Sequence, residues 1–232
     1  MDFVVAAPKQ ASIPVQGIDA HFPVRRVYCV GRNYAAHSRE MGYDPERETP
    51  FFFNKPADAI RPGQPGQVLE IPYPPKTENL HYEVELVVAL AKGGKNIPVA
   101  DALSHVYGYA VGLDLTRRDR QQDMKDQRRP WELGKAFDAS GPISVIQPAD
   151  QAGDVEHTTI SLAVNGEQRQ NSNTDHMIWS IAESISFLSE YFELQPGDLL
   201  FTGTPEGVGP VVVGDTLEAQ VAGVAELSVK MV

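Results

Sequence analysis

The sequence predicts a strand-dominated α+β fold around one large core. Its 19 glycines and 18 prolines are spread along the 232 residues and separate short apolar runs, the pattern of many short strands joined by turns. Asn165-Gly166 lies between two alternating stretches, and a type I′ hairpin turn needs two positive φ angles that Asn and Gly tolerate. One long segment carries helical spacing, with Ile178, Ile181, Ile185, Leu188 and Phe192 on one face.

In chain order, strands are expected at 26–31, 50–54, 81–91, 107–115, 143–146, 159–164, 198–201, 216–219 and 225–231. A single helical turn is expected around His37–Glu40, with Gly42 suited to its end. The long helix is expected to start from a cap at Thr174 or Asp175 and to stop before the Gln195-Pro196-Gly197-Asp198 turn. The chain shows no internal repeat and no low-complexity tract.

Composition narrows the function classes. With 42% hydrophobic and 22% charged residues the chain has the balance of a globular protein rather than a disordered one. No apolar run approaches the roughly 20 residues that span a bilayer, and MDFVVAAPKQ lacks a basic segment followed by an apolar one. A cytoplasmic protein is therefore expected. The single cysteine, Cys29, lies in an apolar run and reads as a buried thiol in a reducing compartment. A net charge of −11 repels phosphate backbones, which disfavours nucleic-acid binding. It does not exclude a small anionic substrate in a locally positive pocket.

The chemistry concentrates in a few places. Glu83 and Glu85 stand two residues apart in an apolar run, so a strand places both on one face. Two ionised carboxylates about 4 Å apart repel by roughly 4 kcal/mol at an effective dielectric near 20. A proton, a basic side chain or a divalent cation would offset that repulsion, unless the glutamates are solvated on an exposed face. Asp114 ends a second apolar run. It either completes an all-oxygen site for Mg²⁺ or Mn²⁺, with Ca²⁺ a weaker fit, or pairs with Arg117 or Arg118. His37 and Glu40 are three apart, and one helical turn would make them either a base with its orienting carboxylate or a routine surface contact. Lys135 in a mainly apolar setting is either a desolvated cation facing an anion or a snorkelling surface lysine. The glycine-rich loop 202–209 lacks the Gly-Lys-Ser/Thr ending of a phosphate loop. It suits close backbone approach to a ligand, with Thr204 donating, or a plain turn.

Taken in order, GRNYAAHSRE, HYEVELVVAL, GYAVGLDLTRRD, RPWELGKAFD and FTGTPEGVG resemble the fumarylacetoacetate hydrolase family. The resemblance implies a mixed β-roll over residues 26–232, with residues 1–25 as an extension packed on it, and a homodimer. It implies Mg²⁺ or Mn²⁺ on Glu83, Glu85 and Asp114, and a His37–Glu40 dyad. Lys135 would be an oxyanion-side cation, and Arg118, Gln121 and Thr204 substrate contacts. The implied reaction is hydrolysis of a carbon–carbon bond in a small diketo acid of the acylpyruvate type, fumarylpyruvate foremost. The same motifs occur in oxaloacetate decarboxylases and in isomerase–decarboxylases acting on hydroxymuconate-type acids. A lid is also conceivable over 34–51, since 41–49 is polar and holds Gly42 and Pro45.

Overall fold

The computed structural model describes residues 3–42 and 47–232; part of the suggested lid, including Pro45, lies outside the described residues. The fold is strand-dominated. A mixed eight-stranded sheet runs in the order Phe51–Lys55, Val27–Gly31, Leu199–Phe201, Val84–Leu90, Val106–Leu113, Gly141–Ile143 and Ile60–Pro62, with Gln147–Pro148 also paired to Val106–Leu113. A five-stranded sheet orders Glu167–Asn173, Thr159–Val164, Thr216–Val221, Ala225–Met231 and Val68–Ile71. A small third sheet joins Thr116–Arg117, Leu80–Tyr82 and Gly209–Val211.

Burial on both faces explains why the central strand reads as an almost continuous apolar run. Val84, Leu86, Val88 and Leu90 pack in the larger core cluster with Leu162, Leu217 and Val229 of the five-stranded sheet and with Ile181, Ile185 and Leu188. Val87 and Ala89 point the other way, into a second cluster with Val27, Cys29, Leu199 and Phe201. Ile13 and Phe22, from the paired strands Ser12–Pro14 and His21–Pro23, are buried in that second cluster. By period two, Glu85 belongs to the face of Val87 and Ala89.

The hairpin at Asn165-Gly166 forms with φ of 52° and 78°. The long helix is shorter than expected, Ile181–Tyr191, because Ser180 closes a capping box with Glu183 and leaves Ile178 outside. Thr174 begins a separate 3₁₀ turn instead. The expected strand 81–91 is broken at Glu83 into Leu80–Tyr82 and Val84–Leu90, which pair in different sheets. The expected strand 143–146 is Gly141–Ile143. A helix at Arg118–Asp126, unforeseen because its residues are polar nearly all round, covers the end of the small sheet.

Cys29 is fully buried, and burial, reinforced by the Asp114 charge, pushes its thiol well above the usual range. A thiol reagent at pH 8 should leave the native protein unlabelled and modify one site per chain once denaturant is added. Rapid labelling of the native protein would contradict this placement.

Candidate active site

The break at Glu83 creates the site. Asp114 directly follows Val106–Leu113, and its N–H donates to the Glu83 carbonyl at 2.9 Å. Val84 pairs with Leu113 and Glu85 with Gly112. This register stacks three acids at one end of two adjacent strands, with one oxygen from each of Glu83, Glu85 and Asp114 within 4.8 Å of the others. All three side chains are buried.

Cations meet two of them. Lys135, at the end of the short helix Glu132–Lys135, places Nζ 2.7 Å from Glu83 Oε2 and 2.6 Å from Asp114 Oδ2, and donates to Thr116 Oγ1 at 2.6 Å. Lys55 Nζ lies 2.7 Å from Asp114 Oδ1 and donates to the Lys135 carbonyl at 2.6 Å. Arg118 donates to Glu83 Oε1 and, at 2.8 Å, to Gln121 Oε1. Asp114 therefore pairs with two lysines rather than with Arg117 or Arg118, and Lys135 is a buried bridge rather than a surface side chain.

Glu85 differs. Its Oε2 accepts the Gly203 N–H at 2.8 Å, and among the described residues no ion pair reaches it. Burial pushes Glu83 upward, but Lys135 and Arg118 outweigh it and hold that carboxyl well below the usual range. Burial and then the charges of Asp114 and Glu83 push Glu85 well above it. Among the described residues Glu85 is the acid of the three without an ion pair, which is where a divalent cation would stabilise the cluster most. An all-carboxylate donor set without His or Cys suits Mg²⁺ or Mn²⁺, so the residues present fit such an ion.

His37 and Glu40 lie on the short helix Ala35–Glu40. His37 Nδ1 is 3.3 Å from Glu40 Oε2, and the Gly207 N–H donates to that same oxygen at 3.1 Å. The His37 hydrogen bond, helped by Gly207, lowers the Glu40 pKa against the effect of burial. Thr204 Oγ1 accepts a hydrogen bond from Gln170 Nε2 at 2.9 Å. His37, Thr204, Arg118, Gln121, Lys135 and the three acids line one cleft. Every site residue expected from the sequence thus lies in or against this one cleft.

The glycine-rich loop contributes Thr204 to the lining of the cleft. Its close backbone approaches are to protein: Gly203 at φ 97° faces Asn33, and Gly207 at φ 90° faces the Arg169 carbonyl, where a Cβ would sit 2.2 Å away. The amides so placed hold Glu85 and Glu40. Three buried residues escaped the sequence reading. Lys55 follows an apolar run, the same signal that singled out Asp114. Asn33 donates to the Trp179 and Thr202 carbonyls, at 2.9 and 2.8 Å. Gln170 accepts from the Val84 N–H at 3.1 Å and donates to Thr204 and the Pro205 carbonyl. Lone amides in polar surroundings gave no warning.

A buried all-oxygen triad that opens with His37 on one cleft of a β-roll defines a class: enzymes that hold a divalent cation on three acids. Residues 26–232 match the fumarylacetoacetate hydrolase C-terminal family model, and the chain belongs to that family. A crystal structure of fumarylpyruvate hydrolase from Pseudomonas aeruginosa, in complex with Mn²⁺ and pyruvate, is similar with a TM-score of 0.98 and 57% identity, covering 100% of this chain and 99% of that one. A fumarylpyruvate hydrolase from Ralstonia sp is 46% identical over 186 residues, 80% of this chain and 94% of that protein. The mitochondrial oxaloacetate tautomerase of Homo sapiens is 42% identical over 208 residues, 89% of this chain and 91% of that protein.

Replacing Glu85 by Gln removes one like charge while keeping an acceptor for Gly203. Calorimetric melting should show the chelator-treated variant more stable than the equally treated parent. The parent alone should gain about 2.7 kcal/mol, roughly 5–10 °C, from Mn²⁺ at a hundredfold its Kd. Equal stabilisation of both by Mn²⁺ would remove Glu85 from the ligand set.

Proposed function

We propose that the protein hydrolyses the carbon–carbon bond of an acylpyruvate, with fumarylpyruvate yielding fumarate and pyruvate as the foremost reaction. The observation that carries this is His37, backed by Glu40, in the same cleft as the three acids, because a water-activating base beside an oxygen-ligand cation site is what hydrolysis of a diketone needs. Similarity to fumarylpyruvate hydrolases at 57% and 46% identity supports the same substrate.

Glu83, Glu85 and Asp114 would hold a divalent cation, Mg²⁺ or Mn²⁺, which when bound would supply a Lewis acid and a template for the 2-oxo acid end of the substrate. Around it Arg118 and Gln121 bind the substrate's oxygens, and Thr204 contacts its carboxylate. Glu40 accepts a hydrogen bond from the Nδ1–H of His37, which leaves Nε2 as the acceptor for a proton from water. The water oxygen adds to the acyl carbonyl carbon. The bond from that carbon to the methylene carbon breaks, and its electron pair passes to the pyruvate half as an enolate. Lys135 stabilises the developing negative charge. The proton held by His37 goes to the methylene carbon, giving the methyl group of pyruvate, and the acyl half leaves as a carboxylic acid.

In this reading residues 26–232 are the catalytic unit, residues 1–25 an extension packed on it, and the working form a cytoplasmic homodimer. Among the described residues no helix is long and apolar enough to cross a membrane. A second reading, keto–enol interconversion of oxaloacetate, is favoured by the 42% identity to the human oxaloacetate tautomerase; it needs proton transfer but no water attack.

Incubation with Mg²⁺ and fumarylpyruvate, acetylpyruvate or oxaloacetate separately, with cleavage products identified by mass and the enol–keto conversion of oxaloacetate, whose tautomers share one mass, followed by ultraviolet absorbance, distinguishes the two. Fumarate and pyruvate in equal amounts are expected from the first. Fumarylpyruvate left intact while oxaloacetate is tautomerised would favour the second reading. His37→Ala should lower kcat for hydrolysis by about 10²–10⁴ without loss of Mn²⁺ binding. A change within a few-fold would remove His37 as the base.

A further inference from the structure

We propose that Asn33 is a positioning residue: its buried side-chain amide clips the start of the His37 helix to the loop that holds Glu85, and so sets where the imidazole stands relative to the three acids. The inference rests on the reading of His37 as the base and adds what fixes its distance from the cation site.

The two segments leave neighbouring strands. Val27–Gly31 and Leu199–Phe201 run parallel, with Cys29 opposite Phe201. Beyond their ends one chain enters the helix Ala35–Glu40 and the other the glycine-rich loop. Arg32 turns the first chain at φ 56°, in the left-handed region that favours glycine, and Asn33 then lies against Thr202 and Gly203. Its Nδ2 donates to the Thr202 carbonyl at 2.8 Å, and a Cβ on Gly203 would sit 2.7 Å from the Asn33 Cβ. The same Nδ2 donates to the Trp179 carbonyl at 2.9 Å, while Oδ1 accepts the Trp179 N–H at 2.8 Å. The main chain follows suit: the Asn33 carbonyl accepts the Ile178 N–H at 2.7 Å, and Tyr34 bridges to Met177. Asn33 is fully buried, so water cannot replace these bonds while the fold stays closed.

The loop side is held without Asn33. Thr202 bonds to the Leu86 carbonyl through its N–H at 3.1 Å and its hydroxyl at 2.9 Å, and Gly203 donates to Glu85. The helix side has less. Ala35–Glu40 is six residues long and its N-cap, Tyr34, makes no side-chain capping bond. A helix that short is not stable by itself, so its ends must be held. At the far end the Gly207 N–H reaches the two Glu40 oxygens at 3.2 and 3.1 Å in an exposed setting; at the near end stands the buried Asn33 amide. Both anchors engage the one loop, and His37 lies four residues from the first and three from the second. Loss of the near anchor frees the imidazole to shift while the acids keep their register. A misplacement of about 1 Å can cost on the order of a hundredfold in rate.

Asn33→Asp keeps the side chain's outline and the acceptor for the Trp179 N–H but turns an acceptor onto two carbonyls. Asn33→Ser keeps a single hydroxyl and carries the test if the first variant does not fold. Leu162→Ala, in the core behind the five-stranded sheet, controls for lost stability. Each protein is loaded with Mn²⁺ and assayed well below its melting temperature. In the Asn33 variants kcat for fumarylpyruvate should fall by about 10–100-fold, with KM and Mn²⁺ affinity close to the parent's, whereas Leu162→Ala should keep its kcat. Diethyl pyrocarbonate supplies a readout without turnover: mapped by mass, His37 should be acylated severalfold faster in the Asn33 variants, relative to the exposed His157 and His176 of the same molecule, and at the parent's rate in Leu162→Ala. A kcat no lower than that of Leu162→Ala, a loss confined to KM or Mn²⁺ affinity, or unchanged labelling of His37 overturns the proposal. Faster labelling of His37 in variants of a protein that leaves fumarylpyruvate uncleaved would count against the hydrolysis reading and not against the clip.

Discussion

The structure turns on a buried charge cluster in which Lys135 ties Glu83 to Asp114 while Lys55 closes on Asp114 from behind. Three carboxylates and two ammonium groups taken out of water would each cost several kcal/mol alone. Together they are tolerable because nearly every oxygen has a donor within hydrogen-bonding distance. Lys55 also donates to the carbonyl of Lys135, so the two lysines position one another and neither can shift without stranding a charge. The surrounding strands, turns and glycines can be understood as what keeps this cluster in register.

Much of it was legible in the sequence. Two acids on one face of an apolar run, and a third at the end of another, have few neutral explanations, and those signals found Glu83 and Glu85 and then Asp114. The Asn165-Gly166 turn was legible because its φ requirement admits few residues. What failed has physical causes. The strand break at Glu83 is invisible locally, because 81–91 is a good strand by composition and only pairing in two sheets divides it. The cap of the long helix was misplaced because Thr174, Asp175 and Ser180 are all competent caps, and packing of Ile181 and Ile185 decides among them. Arg118–Asp126 was missed because its contacts are polar and its seat on the site is a tertiary fact.

The glycine-rich loop illustrates how a motif can serve a site through its backbone. Gly203 and Gly207 adopt positive φ and turn their amides toward Glu85 and Glu40 respectively. One loop thus orients an acid of the cluster and the carboxylate that serves the histidine. Gln170 extends the coupling to the five-stranded sheet, since a single side chain contacts the backbone of Val84 and the loop at Thr204 to Glu206. Substitutions at Gln170 should therefore be felt at both halves of the cleft although the residue lines neither.

The order of strands also bears on how the chain acquires its shape. Leu199–Phe201 lies between Val27–Gly31, with which it runs parallel, and the antiparallel Val84–Leu90. The middle of the main sheet is therefore filled by a segment that leaves the ribosome late, joining partners more than a hundred residues upstream. Closing such loops is entropically slow, and until it happens the edges of both early strands stand open to other chains. Nascent and partly unfolded molecules are thus exposed to edge-to-edge association, a hazard that ends when Leu199–Phe201 docks.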